Sequence, residues 1–435
     1  MKRSTNRILV THAGSLPRPD SLVQTREARE RGEAIDERAY DASVKSAVAD
    51  IVQKQVDLGV DIVDDGEMSK ASFLTYINER LGGFGPSSGW SLNLWGPSRE
   101  VRDFPEYYDW FGKVMPSPVI KAKHLDCIAP ITYTGQKHVQ TDIANLKAAL
   151  GGANAAEAFI PSISPTDVEW WQKNKYYRTD EEYLFAIADA MAEEYKAIVD
   201  AGFLLQIDDP FLITYYIFRP DQSVAECRKW AAVRVEALNH ALRNIPRDRI
   251  RFHTCYSINM GPRVHDMELK DIVDVLLRIK AGAFSFEAAN PRHDHEWKVW
   301  ENVKMPKDTI LIPGVITHSS VLVEHPELVA ERLKKYASVV GPENVIAGGD
   351  CGFATFAGSV EIHPSIVWAK FKAMSEGAAI ASQELYGKSA KRPAKTARGA
   401  AAGRRAAAKR RGAAAKKSAK RPARAAKTKA RRKRA

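Results

Sequence analysis

Arg251-Phe252-His253-Thr254-Cys255-Tyr256 begins apolar, turns polar and ends in a His-x-Cys pair. Upstream, residues 223–244 carry helical periodicity, and before them Phe203-Leu204-Leu205-Gln206-Ile207-Asp208-Asp209-Pro210 reads as a strand closing on two carboxylates. The alternation continues downstream. Helix 269–280 leads to a strand from Ala283 to Glu287, and a shorter helical piece leads to Ile310-Leu311-Ile312-Pro313-Gly314-Val315-Ile316. Helix 326–340 leads to Val345-Ile346-Ala347-Gly348-Gly349, and a last helix spans 364–386.

Toward the N-terminus the same units are present with one interruption. Residues 7–12 form a first strand, followed by the breaker-rich turn Ala13-Gly14-Ser15-Leu16-Pro17-Arg18-Pro19. Helix 37–59 has Val44, Ala47, Val48, Ile51 and Leu58 on one face, and strand Val60-Asp61-Ile62-Val63-Asp64-Asp65-Gly66-Glu67 ends acidic. Helix 71–81 follows. Residues 83–126 read as an irregular insertion rich in Gly, Pro, Trp and Tyr, and residues 129–135 belong to that excursion. Helix 141–150, strand 158–165 and helix 180–201 then rejoin the pattern.

Without the excursion there are eight apolar strands, most followed by a helix. Near-continuous apolar strands alternating with amphipathic helices imply a parallel sheet covered by helices. Eight such units favour an α/β fold of the closed (β/α)8 TIM-barrel type over an open doubly wound sheet, and no Gly-x-Gly-x-x-Gly turn follows an early strand.

The 435 residues suffice for one large domain, with no run of about 18 uncharged apolar residues and no apolar signal core behind Met1. Four cysteines are too few for a disulfide scaffold and suit a cytoplasmic enzyme without membrane contact. The net charge of +12 is unevenly spread. The segment 387–435 holds 21 of the 65 Lys and Arg and none of the 53 Asp and Glu, so the body at 1–386 is acidic. The Lys/Arg/Ala-rich tail cannot bury enough apolar surface to order itself. Its composition suits non-specific nucleic-acid contact by phosphate neutralisation, or equally a solvated tail without a partner.

Active-site residues of a parallel barrel lie at the C-terminal ends of its strands. Gly14-Ser15, Glu67, Asp208-Asp209, His253, Cys255, Glu287, His318 and Cys351 all stand at or just past an apolar run. On a strand, residues i and i+2 face the same way, so His253 and Cys255 project together. Zinc takes imidazole, thiolate and carboxylate, and Glu287 and Cys351 would complete a His/Cys/Glu/Cys set. A lone buried Cys or His is otherwise core packing, and Cys127 and Cys227 are assigned to packing or surface. Two thiolates and a carboxylate exceed the charge of zinc, which weakens its pull on water and suits a soft substrate thiol. The thiol would lose its proton there and become a nucleophile for alkyl transfer. Glu287 is the ligand most easily displaced.

In order and spacing, Gly14-Ser15-Leu16-Pro17, Asp65-Gly66-Glu67, Gln206 to Pro210, His253-Thr254-Cys255, Phe286-Glu287, Pro313-Gly314-Val315 with His318, and Asp350-Cys351-Gly352 resemble the catalytic barrel of the cobalamin-independent methionine synthases. The resemblance covers residues 7–386. It implies zinc on His253, Cys255, Glu287 and Cys351, and homocysteine held through its amino acid part by Gly14, Ser15, Glu67 and Asp208. It also implies His318 as proton donor to the departing nitrogen of a 5-methyltetrahydrofolate-like methyl donor. The chain has no room for that family's second, N-terminal barrel, and the insertion at 83–126 has no counterpart. The sequence is similar as well to the single-barrel enzymes that open epoxides with the thiol coenzyme M. A barrel without catalysis, associated with nucleic acid, is the third reading.

Overall fold

Eight short parallel strands wrap into a nearly closed barrel in this computed structural model, which describes residues 1–87, 96, 98–114, 124–256, 261–358 and 362–387. In chain order the strands of the protein are β1 (Leu9–Val10), β2 (Ile62–Val63), β3 (Leu81–Pro86), β4 (Leu125–Tyr133), β5 (Glu157–Ile163), β6 (Lys173–Asn174), β7 (Leu204–Asp208), β8 (Ile250–Thr254), β9 (Ala283–Phe286), β10 (Ile310–Ile316) and β11 (Ile346–Gly349). The barrel order is β1-β11-β10-β9-β8-β7-β5-β2. The seam between β1 and β2 is closed by single bonds: the Asp61 N–H donates to the Val10 carbonyl at 2.9 Å and the Thr11 hydroxyl to the Ile62 carbonyl at 2.9 Å.

Alternation along the strands sorts the side chains. Leu9, Ile62, Phe159, Leu204, Ala283, Ile310, Ile312 and Ile346 point inward and fill the lower barrel as one apolar cluster. Their neighbours, among them Val10, Ile160, Leu205, Ile207, Ile250 and Phe252, face outward into the much larger cluster beneath the helices. Further along several strands the inward positions turn polar: Leu204 is followed by Gln206 and Asp208, Ala283 by Ser285, and Ile62 by Asp64. The register aligns Asp208 with His253 and His253 with Ser285, so these side chains ring the upper barrel. Arg251 sits fully buried at the junction. It donates to Thr11 Oγ1 at 2.9 Å and the His12 carbonyl at 2.7 Å, and it lies 3.9 Å over the Phe159 ring.

The outer helices include Glu37–Asp57, Gln136–Leu150, Asp180–Asp200, Val224–Ala241, Pro326–Val340 and Pro364–Tyr386. Among the described residues no helix is long and apolar enough to cross a membrane. Helix 37–59 and helix 223–244 form as expected because their starts are capped. Asp36 accepts from two backbone N–H groups, and Ser223 with Glu226 makes a reciprocal capping box.

Three expected elements differ. Helix 71–81 is a 3₁₀ turn at Thr75–Glu79, because the Ser72 hydroxyl accepts from the Thr75 N–H at 2.8 Å and tightens the entry. Helix 269–280 shrinks to a 3₁₀ turn at Leu269–Asp271 and a short helix at Val273–Leu276, since Ile272 leaves helical geometry at φ −132°. The insertion is not irregular throughout. Its ends pair as antiparallel β3 and β4, with β6 beside β4, and between them lie helices Arg99–Asp103 and Pro105–Val114. Helices Asp20–Glu30, Pro165–Trp171 and Phe211–Phe218 were not foreseen. Trp90 and Trp95 of the insertion and the basic segment 388–435 lie outside the described residues.

Candidate metal and thiol site

The upper end of the barrel gathers the sulfur and imidazole groups. Cys255 Sγ lies 3.0 Å from Cys351 Sγ, although the two residues are 96 positions apart. His253 offers a ring nitrogen to the same cluster, all three ligand atoms falling within 4.8 Å of one another. His253 Nδ1 is 3.0 Å from Ser285 Oγ, whereas its Nε2 is buried with no hydrogen-bond partner among the described residues. Burial, reinforced by Arg251, pushes the His253 imidazole down to about 3, which favours the neutral ring that a metal ligand must be. Two thiols and an imidazole nitrogen within 4.8 Å of one another form a donor set that fits a divalent metal taking sulfur and nitrogen ligands.

A pocket at this end is lined by Ser15, Glu67, Asp208, His253, Cys255 and Cys351, together with Phe73 and Thr355, which sequence reasoning missed. Glu67 occupies the left-handed region at φ 57°, an uncommon conformation outside glycine. Its turn is pinned: Asp65 Oδ1 accepts from the Glu67 N–H at 2.9 Å, and Arg18 donates to the Glu67 carbonyl at 2.9 Å. Glu67 Oε2 is buried without a partner among the described residues. Gly14 holds φ 130°, which other residues rarely adopt, and a Cβ there would stand 3.1 Å from both Glu67 Oε1 and Pro161 Cγ. Gln206 donates to Asp208 Oδ1 at 2.7 Å and to the Ala13 carbonyl at 2.5 Å, which ties β7 to the Gly-Ser turn. Burial, and then the neighbouring Glu67, push the Asp208 carboxyl well above the usual range.

Glu287 and His318 are placed in an adjoining buried cluster with Asp350. Glu287 Oε1 accepts from the Tyr256 N–H at 2.7 Å, and its Oε2 accepts from Arg263 Nη2 and Asn290 Nδ2, each at 2.8 Å. Asp350 Oδ1 accepts from the N–H groups of Ala288 and Ala289 at 2.7 and 2.8 Å and so braces the turn after Glu287. Cys127 and Cys227 are buried in the apolar core, away from these clusters.

The family described as cobalamin-independent synthase, catalytic domain, matches residues 8–92 and 170–370. The chain belongs to that family. The family match leaves out residues 93–169, a stretch that takes in most of the insertion together with helix Gln136–Leu150 and β5. Curated relatives include a methionine synthase of Thermococcus kodakarensis, 25% identical over 86% of this chain and 93% of that one. Another from Saccharolobus islandicus is 27% identical over 86% of this chain and 95% of that one. Among solved structures, a B12-independent methionine synthase from Shewanella sp. W3-18-1 superposes with a TM-score of 0.65 at 19% identity. It covers 87% of this chain and 99% of that one, which supports the barrel fold.

Proposed function

We propose that this member of the family transfers a methyl group to the thiol of homocysteine, giving methionine, with zinc as its metal. The observation that carries the reading is the meeting of His253, Cys255 and Cys351 in the pocket that Glu67 and Asp208 also line. His253, Cys255 and Cys351 would hold the zinc, with Glu287 the fourth candidate. When bound, the zinc would stabilise the substrate's sulfur as a thiolate at neutral pH.

The chain's own residues supply the rest. The buried carboxylates of Glu67 and Asp208 take an ammonium by charge-assisted hydrogen bonds, and an incoming cation relieves the repulsion between them. Ser15 offers its hydroxyl to the amino acid part. His318, just past β10 and 4% exposed, would protonate the nitrogen that loses the methyl group, a step worth roughly 10²–10⁴-fold. The methyl donor of this reading is 5-methyltetrahydrofolate-like.

The same carboxyl groups suit an ammonium and not the sulfonate of coenzyme M, because neither offers a sulfonate a cation. Rescue of a methionine auxotroph by the full chain tests the reading. Growth without methionine is expected, and its failure with soluble, zinc-loaded protein would remove the homocysteine assignment. Side-by-side assays with homocysteine and coenzyme M as acceptors separate this reading from epoxide opening.

A further inference from the structure

Glu287 already has a cationic partner. Arg263 and Glu287 are 4% and 2% exposed, and the guanidinium meets Oε2 at 2.8 Å. Arg263 stands at φ 58°, a left-handed conformation uncommon outside glycine. It is held there from three sides. Asp266 Oδ2 accepts from Arg263 Nε at 2.8 Å, and the same oxygen lies 3.0 Å from His293 Nε2. Glu100, fully buried on the insertion helix Arg99–Asp103, accepts from the Arg263 N–H at 3.0 Å and from the His265 N–H at 2.9 Å. The insertion, which the family match skips beyond residue 92, therefore reaches Glu287 through one arginine.

We propose that Arg263 is a positioning residue that holds Glu287 away from the metal, leaving one ligand position for the substrate thiol, and that Glu100 latches Arg263 in place. The inference rests on the zinc reading above. Charge favours it. Two thiolates and an imidazole balance a divalent ion, whereas adding Glu287 leaves an excess negative charge in a buried site. A carboxylate that is off the metal needs its own partner at that depth, and Arg263 with Asn290 provides one. Glu287 and the sulfur cluster fall into separate groups of mutually close ligand atoms, as this arrangement requires.

If Glu287 were instead a standing ligand that Arg263 merely supports, removing Arg263 would weaken metal binding. Here removal frees the carboxylate to ligate, so binding tightens. The experiment is chelator competition for zinc on the full chain. Arg263→Met is expected to bind zinc about tenfold tighter than wild type, the scale of effects from groups that contact a ligand. Arg263→Lys should stay near wild type, and the double variant Arg263→Met/Glu287→Gln should lose the gain. Glu287→Gln alone should shift affinity by less than about threefold, well below the tenfold scale. Glu100→Ala, which leaves the ion pair's own residues intact, should shift affinity in the same direction as Arg263→Met and keeps the test available if the buried arginine proves necessary for folding. Weaker zinc binding in Arg263→Met or Glu100→Ala, or a loss in Glu287→Gln equal to that in Cys351→Ser, overturns the inference while leaving the zinc reading intact. A wild-type chain that binds no zinc overturns both.

Discussion

Ser285 Oγ lies 3.0 Å from His253 Nδ1, while Nε2 of the same ring is buried with no hydrogen-bond partner among the described residues. In the tautomer that carries its proton on Nδ1, that nitrogen donates to the hydroxyl and Nε2 is left for a metal. Ser285 stands on β9 two residues before Glu287, which lies just past the strand's end, so one short stretch contacts a candidate ligand and carries another. Ser285→Ala removes the orienting partner without a large volume change. Zinc affinity should fall by about 10-fold or more, as for other partners of ligating histidines, with the fold retained by circular dichroism.

Glu67→Gln and Asp208→Asn remove the charges that would meet the substrate ammonium. A hydrogen bond to a charged group contributes about 1.5–3 kcal/mol, so KM for homocysteine should rise roughly 10- to 100-fold in each. Bound zinc should be unchanged, because neither carboxylate belongs to the sulfur–imidazole cluster. Steady-state kinetics beside metal analysis separates the two effects.

Gly314 lies against β11 with no space for a methyl group: a Cβ would fall 2.7 Å from Asp350 Cα and 2.8 Å from Asp350 N. Backbone cannot yield as a side-chain tip can. Gly314→Ala should therefore cost about 1–3 kcal/mol in a urea melt, the scale of overpacking in a filled core.

His12 gives the pH dependence a specific source. Burial drives its imidazole down to about 3, although its Nε2 lies 2.8 Å from Gln55 Oε1 and would gain from the proton. The folded chain therefore binds fewer protons than the unfolded chain between about pH 6.5 and 3. Stability from this residue is present above about pH 6.5 and is lost as pH falls, by up to about 1.4 kcal/mol per pH unit. His12→Gln should flatten that part of the stability profile, measured by denaturant melts between pH 7 and 5.

The basic segment 388–435 calls for a separate test. Truncation after Gly387 should leave zinc content and turnover unchanged, since every residue of the proposed site lies before it. If the segment binds nucleic acid, retention on DNA should fall steeply with salt in the full chain and vanish in the truncation. Retention that is independent of salt, or equal in both, contradicts that role.

The barrel was legible because its strands are short apolar runs that switch to polar at one end. Leu204 to Asp208 and Ile310 to Ile316 announce both the strand and the side on which chemistry can occur. The side-chain alternation that brings His253 and Cys255 together was equally visible. What could not be read was set by contacts distant in sequence. The 269–280 segment has helical periodicity, yet its path breaks at Ile272. Pairing of β3 with β4 across the insertion joins partners as far apart in sequence as Leu81 and Tyr133. Local signals for helices inside the insertion are Ser98, which accepts from the Val101 N–H, and Pro105 at the first position of the second helix. Arg263, Glu100 and Ser285 carry no motif at all. Each acquires its importance from a buried partner, and a single arginine in a loop looks like any surface charge until Glu287 is beside it.

Metal analysis of the purified full chain beside Cys351→Ser bears most directly on the proposed centre. One zinc per wild-type chain, with most of it lost when Cys351 is replaced, is the predicted result. A wild-type chain that takes up no zinc, or a Cys351→Ser chain that retains it in full, would contradict a metal held by His253, Cys255 and Cys351.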